Sequence, residues 1–236
     1  MMYVCFCFVG RTMHNTIQPM LHLEFAQNSL TGSIPSEFGI LTQLNRLHLK
    51  NNFLTGSIPS EFGILNRKLK RLSLSNNKLT GSIPSQLGLL GQLQFVDVIF
   101  NQLTGSIPSE FGQLTQLNEM LLYGNQLTGS LPSELCLLTQ LTLLDLGEKK
   151  LTGSIPSEFG LLTQLKASCL SFNQLTGSIP SQLGLLKQLT ILQLDDNQLT
   201  SSMPPSLCSS VGAKITIDCE EIVCTCCTSS NGNSCS

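Results

Sequence analysis

The chain repeats itself every 24 residues, and that periodicity bounds its fold before any local reading. The block Leu-Thr-Gly-Ser-Ile-Pro-Ser begins at Leu30 and returns at Leu54, Leu79, Leu103, Leu127, Leu151 and Leu175. Leu131 takes the Ile place in the copy from Leu127, and a worn copy, Leu-Thr-Ser-Ser-Met-Pro-Pro, starts at Leu199. Every step is 24 except the second, which is 25 because Asn66-Arg67-Lys68 stands where other copies have two residues. A unit this short cannot bury an apolar face alone, so eight copies imply neighbours stacked around one continuous core.

The residues of one unit say how it folds. Leu47 and Leu49 alternate with Arg46, His48 and Lys50, which predicts a short strand with one buried face. Stacked about 4.8 Å apart, such strands form a parallel sheet and a curved rod roughly 35–40 Å long. Asn28, Asn52, Asn77, Asn101, Asn125, Asn173 and Asn197 recur just after the strand. A buried amide has both donors and an acceptor for backbone groups where the chain turns. Pro35, Pro59 and Pro84 hold the preceding residue extended. Ser36 and Ser60 then read as caps of a short helix or 3-10 turn. Gly39, Gly63, Gly88, Gly112, Gly160 and Gly184 read as left-handed residues ending that turn.

The pattern Leu-x-x-Leu-x-Leu-x-x-Asn-x-Leu, extended by Leu-x-Gly-x-Ile-Pro, resembles the plant-type leucine-rich repeat. The resemblance covers about residues 17–210. It is shared by receptor-like kinase ectodomains, receptor-like proteins and polygalacturonase-inhibiting proteins. It implies an α/β solenoid: a right-handed superhelix with a concave parallel β-sheet and short helical or 3-10 turns on the convex side. It also implies a second row of short strands near Gly-x-Ile-Pro, and a role in recognising peptides, glycans or proteins.

Composition excludes several other classes. Of 236 residues 45 are Leu and 12% are charged, against about 25% charged in an average domain; disordered chains are the reverse. A net charge of −2 without a basic module argues against nucleic-acid binding. The longest apolar run, Met1 to Gly10, is far short of the ~20 residues of a spanning helix. His14, His22 and His48 are not at metal-ligand spacing, and no nucleophile-base set or phosphate loop is present. The chain is therefore expected to be non-enzymatic, without metal or cofactor, and monomeric.

The ends depart from the plant pattern. Residues 1–16 carry Cys5 and Cys7 but no basic n-region or small-residue cleavage site, so the start reads as truncated or uncapped. Residues 17–207 hold the eight repeats, and residues 208–236 form a cysteine-rich cap. Within it Ile215-Thr216-Ile217-Asp218 alternates like a last strand. Cys208, Cys219, Cys224, Cys226, Cys227 and Cys235 are disulfide candidates, with 15 possible pairings. Disulfides place the chain outside the cell or at its surface. Cys224-x-Cys226-Cys227 lacks the second pair a zinc site needs. Cys136 and Cys169 fall on different faces and read as unpaired thiols.

Function should lie where the copies differ. The outward strand positions vary while Leu-Thr-Gly-Ser-Ile-Pro-Ser does not. Phe95, Ile99, Phe100, Leu121 and Tyr123 form an apolar cluster there, the pattern of an interaction site. Arg46, His48, Lys50, Lys70 and Arg71 make a basic strip. Asp97 varies with them, and Asp145, Glu148, Asp195 and Asp196 make an acidic strip. Residues 1–80 carry +5 and residues 81–236 carry −7, a bipolar rod that could orient a charged ligand. The expected partner is a protein, peptide or glycan on the concave face. Two alternatives stand beside it. One is an adhesive scaffold. The other is an ice-binding face made of the Thr31, Thr55, Thr104 and Thr128 column and the Ser33, Ser57, Ser106 and Ser130 column, two extended residues or ~6.7 Å apart.

Overall fold

The computed structural model describes residues 21–65, 68–200, 202–208 and 214–218. Nine strands, one per unit, pair in chain order as a single parallel sheet. They are His22–Glu24, Arg46–His48, Arg71–Ser73, Phe95–Asp97, Glu119–Leu121, Leu143–Asp145, Ala167–Cys169, Ile191–Gln193 and Lys214–Thr216. Equivalent residues face each other: Leu47 pairs with Leu23 and with Leu72. The 25-residue step therefore leaves the sheet register unchanged. The ninth strand is the one read in Ile215-Thr216-Ile217, and its Ile215 is buried against the last repeat.

Among the described residues the opposite side carries seven five-residue 3-10 turns, Ser36–Ile40, Ser60–Ile64, Ser85–Leu89, Ser109–Gln113, Ser133–Leu137, Ser157–Leu161 and Ser181–Leu185. Between the two layers lies one core, built from the repeated Leu, Ile and Phe positions, many with no exposed surface. The asparagines act as expected. Asn52 donates to the carbonyls of Phe25 and Leu49 at 2.8 and 3.0 Å, and its Oδ1 accepts the Leu30 amide at 3.0 Å. The same set recurs at Asn77, Asn101, Asn125 and Asn173. Each amide thus ties two repeats together where the chain leaves its strand. Asn28, in the first repeat, is exposed, and among the described residues its side chain bonds within its own turn, to the Ala26 carbonyl.

Two local expectations are corrected. Pro35, Pro59 and their equivalents occupy the N-cap position and make no side-chain cap bond. The serines sit inside the turn, and Ser60, Ser109, Ser133 and Ser157 donate to the neighbouring glutamate instead. The left-handed role read for Gly39 and its equivalents is also corrected. The periodic glycines at positive φ are instead Gly32, Gly56, Gly81, Gly105, Gly129, Gly153 and Gly177, inside Leu-Thr-Gly-Ser. Gly39, Gly63, Gly88, Gly112 and Gly160 are needed for closeness: a Cβ there would lie 2.5–2.6 Å from a carbonyl oxygen of the next turn. Cys136 takes that place in its unit.

Short second-row strands flank the main sheet, Thr31–Ser33 with Phe53–Thr55, and Thr128–Ser130, Lys150–Gly153, Gln174–Ser178 and Gln198–Thr200. Their register is shifted by two residues, so Ser33 faces Thr55, Ser130 faces Thr152 and Ser178 faces Thr200. The Thr and Ser columns are exposed. They interleave between repeats rather than standing as two square-set rows, because the left-handed Gly between them breaks the extended run.

The N-terminal segment 1–16 lies outside the described residues. So do Cys219, Cys224, Cys226, Cys227, Cys235 and the Cys208 side chain. Cys136 and Cys169 are free thiols. No helix among the described residues is long and apolar enough to cross a membrane.

Candidate functional site

The variable positions converge on the sheet face, and three kinds of surface result. At the N-terminal end Arg46 and Lys50 are exposed, and His48 Nδ1 lies 2.7 Å from a Glu24 carboxylate oxygen. His48 Nε2 is buried without a partner among the described residues. Arg71 is committed to its neighbour: its guanidinium lies 4.0 Å from the centre of the Phe95 ring. Such a cation–π contact fixes both side chains.

The middle of the face is aromatic. Phe100 is 51% exposed and stands at φ 49°, a left-handed conformation that a bulky residue seldom adopts. Its ring meets Tyr123 edge-on at 5.3 Å between centroids. Both rings lie over glycine. A Cβ at Gly124 would come within 2.5 Å of the Phe100 ring, and one at Gly147 within 2.9 Å of the Tyr123 ring and of Cys169 Sγ. Tyr123 hydrogen-bonds Glu148. That bond, burial and the carboxylate charge push its phenol up to about 12. Ile99 and Leu121 are half-buried beside these rings. Of the apolar cluster read from the sequence, Phe100 and Tyr123 are in contact, and Gly124 and Gly147 are the unread residues that make room for their rings. Their signal was present in the sequence: both are glycines in columns otherwise holding side chains.

The acidic positions divide. Asp97 is buried, and its carboxylate accepts from Ser73 Oγ at 3.0 Å, Ser75 Oγ at 2.6 Å and the Ile99 amide at 3.1 Å. Asp195 is buried in the same way and accepts from Ser171 Oγ and Thr216 Oγ1, both at 2.8 Å. The expectation that these two carboxylates point at a ligand is corrected: short hydroxyl side chains on or just beyond the adjacent strands draw them into the sheet. Asp145 is half-buried, and burial raises its carboxyl despite the Gly147 amide and Lys149. Asp196 is exposed.

Lys149 was missed by sequence reasoning. It takes the asparagine place in its repeat, is buried, and donates Nζ to the Leu122 and Gly147 carbonyls. Burial lowers its ammonium to about 7, with Asp145, Cys169 and Glu148 acting the other way. Burial also raises the Cys169 and Cys136 thiols, which keeps them protonated at neutral pH. Among the described residues no group of three His, Cys, Asp or Glu could hold a metal ion. A separate open groove of about 1400 Å³ follows the repeated Ser-Ile-Pro-Ser-Glu segments from Ser33 to Glu134, away from the variable face.

The Leucine Rich Repeat family model matches residues 43–65, 68–90, 92–114, 116–138 and 188–210. No curated protein matches the sequence. Among solved structures, the plant peptide hormone receptor RGFR1 in complex with RGF2 is 36% identical. It has a TM-score of 0.81 over 87% of this chain and 32% of that one. The Arabidopsis receptor kinase HAESA, in complex with the peptide hormone IDA and the co-receptor SERK1, is 34% identical with a TM-score of 0.79. That match covers 83% of this chain and 33% of that one. The chain thus spans about a third of the receptor structures it matches. A plant ice-binding protein is 26% identical with a TM-score of 0.64, covering 83% of this chain and 72% of that one.

Proposed function

We infer that this leucine-rich repeat protein is a non-enzymatic, extracellular recognition module that holds an extended peptide across its sheet face. The observation that carries the reading is the aromatic pair of Phe100 and Tyr123, in edge-on contact over Gly124 and Gly147. Exposed rings on a rigid sheet can bury apolar ligand side chains at little cost in conformational entropy. Exposed Arg46 and Lys50 lie toward one end and exposed Asp196 toward the other, which would fix the direction of a charged ligand. The likeness to receptors whose structures contain peptide hormones supports a peptide over a glycan. A receptor-like or an inhibitor-like role both fit this surface.

The test is selection from a displayed random-peptide library on the immobilised full chain. Enriched peptides should lose at least about tenfold in affinity, some 1.4 kcal/mol, on Phe100→Glu. Peptides that bind the variant as tightly as the parent would remove the patch from consideration.

A second reading has its own observation. The Thr and Ser columns are exposed along the flank, and a plant ice-binding protein shares the architecture. If that flank binds ice, the purified protein shapes ice crystals, and replacing Thr104 and Thr128 by Leu abolishes the effect. Absence of hysteresis and of crystal shaping in the parent protein ends this reading.

A further inference from the structure

The residue just before the ladder asparagine stands at positive φ in each of the eight units. Asn51, Asn76, Gly124 and Asp196 accept that conformation readily, whereas an aromatic residue resists it. This column nevertheless holds phenylalanine twice, Phe100 at φ 49° and Phe172 at φ 57°. Both side chains are about half exposed, at 51% and 50%, so core packing does not account for the strain. Strain of this kind gathers where a surface has work to do.

The spacing of the two rings is set by the sheet. Backbone bonds carry the register past the strand ends: the Phe100 amide donates to the Tyr123 carbonyl, Gly124 to Gly147, Glu148 to Ser171 and Phe172 to Asp195. Phe100 and Phe172 are therefore three sheet steps apart, roughly 14 Å. Four steps along an extended peptide also cover roughly 14 Å, and the residue halfway points to the same side as the two ends.

Between the rings this column has only Gly124, which adds no side chain, and Glu148, which is exposed. The Tyr123 phenol donates to the Glu148 carboxylate. One such bond holds the carboxylate in place and leaves it further acceptor capacity. The adjacent Lys149 is buried and turned to the Leu122 and Gly147 carbonyls. Among the described residues no cation forms an ion pair with Glu148. An oriented negative charge thus stands between two exposed apolar rings, at the height of the sheet face where a ligand would lie.

We propose that this column selects the ligand: an extended peptide with an apolar residue at each end of a five-residue stretch and Lys or Arg at its centre. The inference rests on the peptide reading above and adds the ligand's composition to it. Phe100 and Phe172 each cover one apolar side chain, and Glu148 takes the cation. Tyr123 is the positioning residue, touching the Phe100 ring and holding the carboxylate.

The peptides selected from the random library on the immobilised full chain supply the test. They should carry the spaced apolar pair with a central basic residue well above its chance frequency. The tightest of them, labelled for fluorescence polarisation, should lose about tenfold in affinity on Phe172→Asn. Asparagine suits a positive φ, so this variant should unfold no earlier in urea than the parent, which separates lost binding from lost folding. Inserting one residue between the two apolar positions of the peptide should also cost about tenfold. Glu148→Gln should weaken the basic peptide about threefold to fivefold and leave unchanged the same peptide with its central residue replaced by Gln. Peptides that respond to Phe100→Glu but lack the spacing, or that ignore Phe172→Asn, would overturn this inference and leave the peptide reading standing. A Glu148→Gln loss that persists with the uncharged peptide would overturn the central cation. No enrichment, or peptides indifferent to Phe100→Glu, would remove both the reading and the inference.

Discussion

Asn125 and Lys149 occupy the same place one repeat apart, and they solve the same problem unequally. Asn125 donates to the carbonyls of Val98 at 3.0 Å and Leu122 at 2.9 Å, and its Oδ1 accepts the Leu103 amide at 3.1 Å. Lys149 reaches two carbonyls, Leu122 and Gly147, but an ammonium has no acceptor for the Leu127 amide. It also brings a charge into a buried turn, which is why its ammonium falls to about 7. A repeat fold tolerates such a step because stability is nearly a sum over neighbouring units. The weak unit is carried by the strong ones beside it.

Copying the weak step into a strong repeat should have the largest effect. Asn125→Lys removes the acceptor of Leu103 and buries a cation without the carboxylates that flank Lys149. A loss of about 4 kcal/mol in urea unfolding is expected, together with a broken, two-step transition. The reverse change should repair the ladder: Lys149→Asn is expected to stabilise the chain by about 2–4 kcal/mol at pH 7. The gain should depend on pH in a defined direction. The folded-state pKa of Lys149 lies below its unfolded value, so between about 7 and about 10 the unfolded chain binds more protons. Parental stability therefore rises with pH across that window, by at most about 1.4 kcal/mol per pH unit. The advantage of Lys149→Asn should shrink by the same amount. A constant difference from pH 7 to pH 9.5 would mean that Lys149 is not held neutral by burial.

The same contrast shows what the sequence could and could not express. Leu47, Asn52 and Pro59 recur at fixed spacing because the sheet, the ladder and the turn impose one geometry on every unit. That much of the fold was legible. The Gly39 column was assigned the wrong reason, since a periodic Gly does not say whether it serves a positive φ or a close approach. Gly39 is settled by a carbonyl of the next unit, not by its own neighbours in sequence. At the site, the cluster of Phe95, Phe100, Leu121 and Tyr123 was legible as variation between copies. The inward turn of Asp97 was not, because it depends on Ser73 of the preceding strand and Ser75 just beyond it. Variation marks positions free of the repeat's constraint, whether they face a ligand or one another.

The residues around Lys149 give the smallest effect and the sharpest check on this part of the face. Glu148 precedes the lysine and accepts the Tyr123 phenol, whose ionisation would put a second negative charge beside the carboxylate. The chain has only two tyrosines and no tryptophan, so tyrosinate absorbance resolves a single late step. One phenol should titrate at about 12. Glu148→Gln keeps a hydrogen-bonding side chain but removes the charge, and should move that step down toward the ordinary value of about 10. Because Phe100 rests edge-on against Tyr123, the variant should leave the ring in place. A step that stays at about 12 in Glu148→Gln would assign the shift to burial and to the Cys169 and Asp145 neighbours, and Glu148 would then have no part in fixing Tyr123.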